Sequence, residues 1–254
     1  MILLRRVSPY FLGVLNLVVL EIVLKKPYLI GWWSSGLLLL TILAVWFLTK
    51  KSLGFKSTLR FILIFAMIVV AEVGSLLFIE NTIVKHLLII LSSLTLLLYA
   101  EYLFLFIYSP EKYKAYSLEN LNNFVNLYNF LLLSIAIFAL IVFMNFSVWM
   151  SMLGILVLSV ISFLLSFKSS KIELMPTKVV ITVSTILILE LFLVLNWLPF
   201  SFYLKAIMLT SFYYLINGIF RLKLTESLNK KMALKFVFVC LAVWFISFLT
   251  ARWT

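Results

Sequence analysis

Apolar residues run along this chain in blocks of about twenty, broken by short clusters of charge, turn formers and proline. A helix that crosses the roughly 30 Å of bilayer hydrocarbon needs about 20 such residues at about 1.5 Å each. Val7 to Leu24 lies between Arg5, Arg6 and Lys25, Lys26, and Tyr28 to Leu48 closes at Lys50 and Lys51. Phe61 to Ile79 and His86 to Tyr108 are separated by Glu80, Asn81 and Lys85, which a lipid-facing helix would not carry in sequence.

The stretch from Phe124 to Phe167 would form one helix of roughly 65 Å, about twice the bilayer thickness, so it must fold back. The predicted turn is Met144-Asn145-Phe146-Ser147, with Trp149 following at interfacial depth. Val179 to Ile219 divides at Asn196-Trp197-Leu198-Pro199, because proline begins a helix well and seldom continues one. Met232 to Thr250 is the ninth span. The expected fold is all-α: a polytopic integral membrane bundle of about nine helices, with residues 1–254 forming one transmembrane domain and no soluble domain. The first span is short and carries Glu21, so eight or ten crossings are the alternatives.

Composition agrees with this pattern. The chain is 65% hydrophobic and 12% charged, where a soluble domain is about a quarter charged. Mean hydropathy is +1.21. All nine acidic residues are glutamate.

Orientation follows from the basic residues of the short loops. With the N terminus inside, the inner segments hold Arg5, Arg6, Lys50, Lys51, Lys56, Arg60, Lys112, Lys114, Lys168, Lys171, Lys178, Arg221, Lys223, Lys230, Lys231 and Lys235. The outer segments hold Lys25, Lys26, Lys85, Lys205 and Arg252, which makes sixteen against five. A cytoplasmic N terminus and an outside C terminus are expected. The net charge of +12 then reflects topological anchors on scattered loops and no nucleic-acid surface. The first 24 residues read as an uncleaved signal anchor, since Lys25-Lys26-Pro27 offers no small-residue cleavage site. The expected location is the inner or plasma membrane of the cell, as a multi-pass protein. The expected partners are the lipid bilayer and a protein within it.

The longest connection, Ser109 to Asn123, carries a helix start at Ser109-Pro110-Glu111 and amphipathic tyrosines Tyr113 and Tyr116, and reads as an interfacial connector that can itself be helical. A weak internal echo runs along the chain. Glu72 lies twelve residues after Arg60 and Glu190 twelve after Lys178, each roughly 18 Å from a basic anchor. Lys85 and Lys205 follow at the starts of the returning helices. The same offset aligns Trp32 with Trp149 but sets Glu21 against Ala139, so a duplicated four-helix unit is suggested only in part.

Glu72 and Glu190 are the most informative candidates. An ionisable group near the bilayer centre costs at least about 2.5 kcal/mol even on insertion scales, and something must offset it. They could bind a proton, a cation or a polar headgroup, or serve as neutral hydrogen-bonding glue between helices. Glu101 lies in the inner half of the fourth span. Tyr213, Asn217 and Arg221 recur every four residues and share one stripe. Asn122, Asn126 and Asn129 share a face of the fifth span, with Tyr128 beside them, where solvating the start of the helix is the preferred reading over binding a polar substrate. Glu21, one turn before Lys25, reads as half of an ordinary ion pair. Ala71, Ser75, Ser151, Gly154, Ser159, Ser162 and Ser166 read as close-packing positions. Trp32, Trp33, Trp149, Trp197 and Trp253 are placed near the outer interface.

The inventory excludes much chemistry. A serine triad needs a histidine base and an orienting acid, and the lone His86 sits too far along its helix from Ser93 to bond it. One histidine and one cysteine, Cys240, cannot build a zinc site. Magnesium-dependent diphosphate chemistry uses clustered acidic oxygens, which a chain without aspartate lacks. No glycine loop could cradle phosphate. No cofactor or metal is expected, and enzymatic activity is disfavoured. Three classes remain: a small transporter or permease using the buried glutamates, a non-catalytic membrane scaffold, and an intramembrane enzyme acting on a lipid or polyprenyl substrate. The matched depth of the two carboxyls ranks the transporter first.

Overall fold

The computed structural model describes residues 2–50, 54–114, 116–169, 174–224 and 229–251. Lys51, Lys171, Arg252 and Trp253, used above for orientation and interface, lie outside the described residues. Among the described residues there are nine long helices and no strand: α1 (Ile2–Lys25), α2 (Ile30–Thr49), α3 (Phe55–Leu76), α4 (Thr82–Tyr108), α5 (Ser117–Met144), α6 (Val148–Ser169), α7 (Leu174–Trp197), α8 (Phe202–Leu224) and α9 (Lys230–Thr250). Eight are long and apolar enough to cross a membrane. The exception, α8, has the length at 23 residues but carries Lys205, Asn217, Arg221 and Lys223.

Local chemistry sets the breaks. Asn81 caps α4, its Oδ1 accepting from the backbone N–H groups of Ile83 and Val84 at 2.9 and 3.3 Å. Between α5 and α6, Asn145 adopts φ 50°, a left-handed conformation that asparagine tolerates well. Leu198 to Ser201, containing Pro199, separate α7 from α8, two residues later than expected. The connector before α5 is shorter than expected. Pro110–Lys112 form a single 3-10 turn and α5 already begins at Ser117. The Tyr113 hydroxyl ties the two together by accepting from Leu118 N at 3.0 Å.

The chain divides into two compact units, residues 1–125 and 126–254. In the first, α1 packs most extensively on α4, α2 on α3, and the pairs α1–α2 and α3–α4 complete the bundle. Gly13 permits the closest approach: a Cβ there would stand 2.8 Å from Leu97 Cβ on α4. In the second unit, α6 packs on α7, α7 on α8 and α8 on α9. The α5 helix enters through its side chains, with Phe130 stacked on Tyr213 of α8 at 4.2 Å and Phe138 against Phe192 of α7 at 5.0 Å. In both units the second and third helices pack together, and the first meets the fourth, α1 along much of α4 and α5 through Phe130 and Asn126 on Tyr213; α9 is additional. The small residues Ala71, Ser75, Ser151, Ser159, Ser162 and Ser166 are all buried. Trp32, Trp33, Trp149 and Trp197 are exposed at helix ends.

Candidate functional site

Three helices of the first unit converge on one carboxyl. Glu72 on α3 and Asn16 on α1 are both fully buried. Asn16 Nδ2 donates to Glu72 Oε2 at 3.0 Å and to Ser93 Oγ on α4 at 3.2 Å. Ser75 donates to the Glu72 backbone carbonyl at 3.0 Å. The Ser92 hydroxyl lies beside the carboxyl, with its own proton committed to the Leu88 carbonyl at 2.8 Å. Two atoms are left over: neither Glu72 Oε1 nor Asn16 Oδ1 has a hydrogen-bond partner among the described residues. Local sequence explains why Glu72 turns inward. It shares a stripe with Phe65, Ile68 and Ser75, and Ala71 and Ser75 leave room for neighbouring helices.

Glu190 differs. It is exposed on α7, in line with the exposed Ile186 and Val194. The expectation of two enclosed carboxyls holds for Glu72 alone. Equal depth fixed a level along each helix axis and said nothing about which side of the helix each carboxyl occupied. Glu101 is half-buried and shares a side-chain hydrogen bond with Tyr10 of α1.

In the second unit Asn126 is buried at another three-helix junction. Its Nδ2 donates to the Ser162 backbone carbonyl of α6 at 2.7 Å and to the Tyr213 hydroxyl of α8 at 2.8 Å. Ser166 donates to Asn217 Oδ1 at 2.8 Å. Asn129 is buried with an Oδ1 that has no partner among the described residues, and Asn122, still within the first unit, accepts from the buried Tyr99 hydroxyl at 3.2 Å. The reading of these asparagines as solvating a helix start is therefore corrected. Because α5 begins earlier than expected, they lie one to three turns inside it. On the α8 stripe Tyr213 is fully buried, while Asn217 and Arg221 are both half-buried.

Two interactions were not anticipated. Glu21 meets His86 Nδ1 at 2.7 Å in a half-exposed pair across α1 and α4, in place of the expected pairing with Lys25. Arg5 is buried at the start of α1, donating from Nη1 to the Tyr108 hydroxyl at 2.6 Å. Its position four residues into α1 looked like a simple topological anchor. No group of three or more His, Cys, Asp or Glu side chains among the described residues could hold a metal ion.

The helices and their composition define a multi-span α-helical membrane protein. No protein-family model, curated protein or solved structure matches the chain.

Proposed function

We propose that this protein is a small membrane transporter or permease in which Glu72 binds and releases a proton. The observation that carries this reading is the pair of unpartnered oxygens on side chains already bonded to each other, Glu72 Oε1 and Asn16 Oδ1. A buried charge without a counter-charge is costly. One proton on Oε1 removes the charge and supplies a donor for Oδ1, closing an acid–amide pair through both groups. Loss of that proton leaves two buried acceptors without donors, at about 1–3 kcal/mol each. That cost favours a rearranged packing of α1, α3 and α4, which is the coupling a proton-driven carrier needs.

The test is proton entry into proteoliposomes holding a pH-sensitive dye, driven by a potassium diffusion potential, with and without candidate polar solutes. Glu72→Gln keeps the shape and removes the ionisable group. It should abolish solute-dependent proton entry while leaving the elution profile of the purified protein unchanged. Entry at the wild-type rate in Glu72→Gln would sink the proposal.

One observation favours the scaffold reading. An open groove of about 330 Å³ between α2 and α3, lined by Ser34, Ser35, Leu38, Val69, Val73 and Gly74, is largely apolar and could seat a partner helix. In that reading Glu72 and Asn16 act as cross-helix glue, and Glu72→Gln has no transport phenotype.

A further inference from the structure

Arg5 is buried to 8% exposure, yet no carboxylate among the described residues pairs with it. Its guanidinium is walled by two rings, Phe47 at 5.3 Å and Tyr108 at 5.0 Å from their centroids. Nη1 donates to the Tyr108 hydroxyl, which passes its own proton to the Leu48 carbonyl of α2 at 2.7 Å. That carbonyl belongs to the last turn of α2, where the helix dipole gives a partial negative charge. This is only partial compensation, because Arg5 Nε, also buried, has no acceptor among the described residues. A desolvated guanidinium with an idle N–H is a site short of an anion.

The surroundings indicate which anion. The site lies where the start of α1 meets the ends of α2 and α4, the inner face in the orientation given by the loop charges. Phe47 and Trp46 are each nearly half exposed, so one wall opens toward the acyl-chain region. Arg6 and Lys50 are exposed nearby in the chain, with Lys50 Nζ held 5.4 Å over the Trp46 ring. A fork-shaped cation flanked by aromatic rings and further basic residues at interfacial depth suits a phosphate oxyanion carried by a lipid.

We propose that Arg5, held in place by Tyr108, binds the phosphate of an anionic phospholipid in the inner leaflet. The inference is independent of any role for Glu72. It is tested with the full-length protein in neutral detergent by thermal unfolding, titrating short-chain phosphatidylglycerol, short-chain phosphatidylcholine and inorganic phosphate in separate arms. A ligand that binds the folded state raises the melting temperature in a concentration-dependent way.

Phosphatidylglycerol should raise the wild-type melting temperature, and phosphatidylcholine and inorganic phosphate should raise it far less. Arg5→Gln should lose the phosphatidylglycerol response, and Arg6→Gln should keep it. Arg5→Lys, which retains a buried cation and guards against simple misfolding of Arg5→Gln, should need about tenfold more lipid because a point charge replaces the fork. An undiminished phosphatidylglycerol response in both Arg5 variants overturns the proposal, as does an equal response to all lipids. A response to inorganic phosphate equal to that to phosphatidylglycerol overturns the lipid as the source of the phosphate.

Discussion

Each half of the chain uses one buried asparagine, on the first helix of its unit, as a strut between two other helices. Asn16 donates its two amide protons to Glu72 of α3 and Ser93 of α4. Asn126 donates its own to the Ser162 carbonyl of α6 and to Tyr213 of α8. Both leave Oδ1 without a donor. The difference is the acceptor. In the first unit it is a carboxyl that one proton can alter. In the second it is a phenol and a peptide carbonyl, neither of which changes charge near neutral pH. The same packing device is thus open to chemical control in one place and fixed in the other.

Four single variants and one double variant probe that contrast, each read as thermal or denaturant unfolding of the purified protein. The largest effect is expected from Tyr213→Ala. This ring is fully buried, stacked on Phe130 at 4.2 Å and against Phe163 at 4.9 Å, and its removal opens a cavity worth about 3–5 kcal/mol. Next comes Asn16→Leu, which strips the donor from Glu72 and should cost about 1–3 kcal/mol. Combining it with Glu72→Leu should recover part of that loss, since no buried acid is then left unsatisfied. If the double variant loses the full sum, the strut is not an isolated pair. Tyr213→Phe keeps the stacking and loses only the acceptor for Asn126, for about 1 kcal/mol. Smallest is Glu190→Gln, expected within about 0.5 kcal/mol because the side chain is exposed. A larger loss there would show Glu190 engaged with a partner.

Span positions were legible in the sequence because hydropathy over twenty residues averages out local detail. The Met144–Ser147 turn shows this best, falling where apolar length alone demanded a reversal. The start of α5 was not legible. The polar stretch Ser117 to Asn123 left connector and helix both open, and Leu118, Asn122, Val125 and Asn129 are buried at helical spacing, with asparagines turned inward to bond. Glu72 and Glu190 fail as a pair for a related reason. The signal that separates them is the neighbourhood: Ala71 and Ser75 flank one, while Ile186 and Val194 bracket the other. Small residues around a membrane carboxyl mark a helix crossing, and branched ones mark an outer face. The Arg5 cluster was invisible because it joins positions about a hundred residues apart through tertiary packing alone.

The close seating of α1 against α4 also bears on how the protein is made. Chain leaves the ribosome in order, so Glu72 on α3 enters the insertion channel after Asn16 and ahead of Ser93. The Glu72–Asn16–Ser93 contact is complete only once the fourth helix has joined the first and third, with the Gly13 notch receiving Leu97. A nascent chain halted after α3 would hold its acid with a single helper.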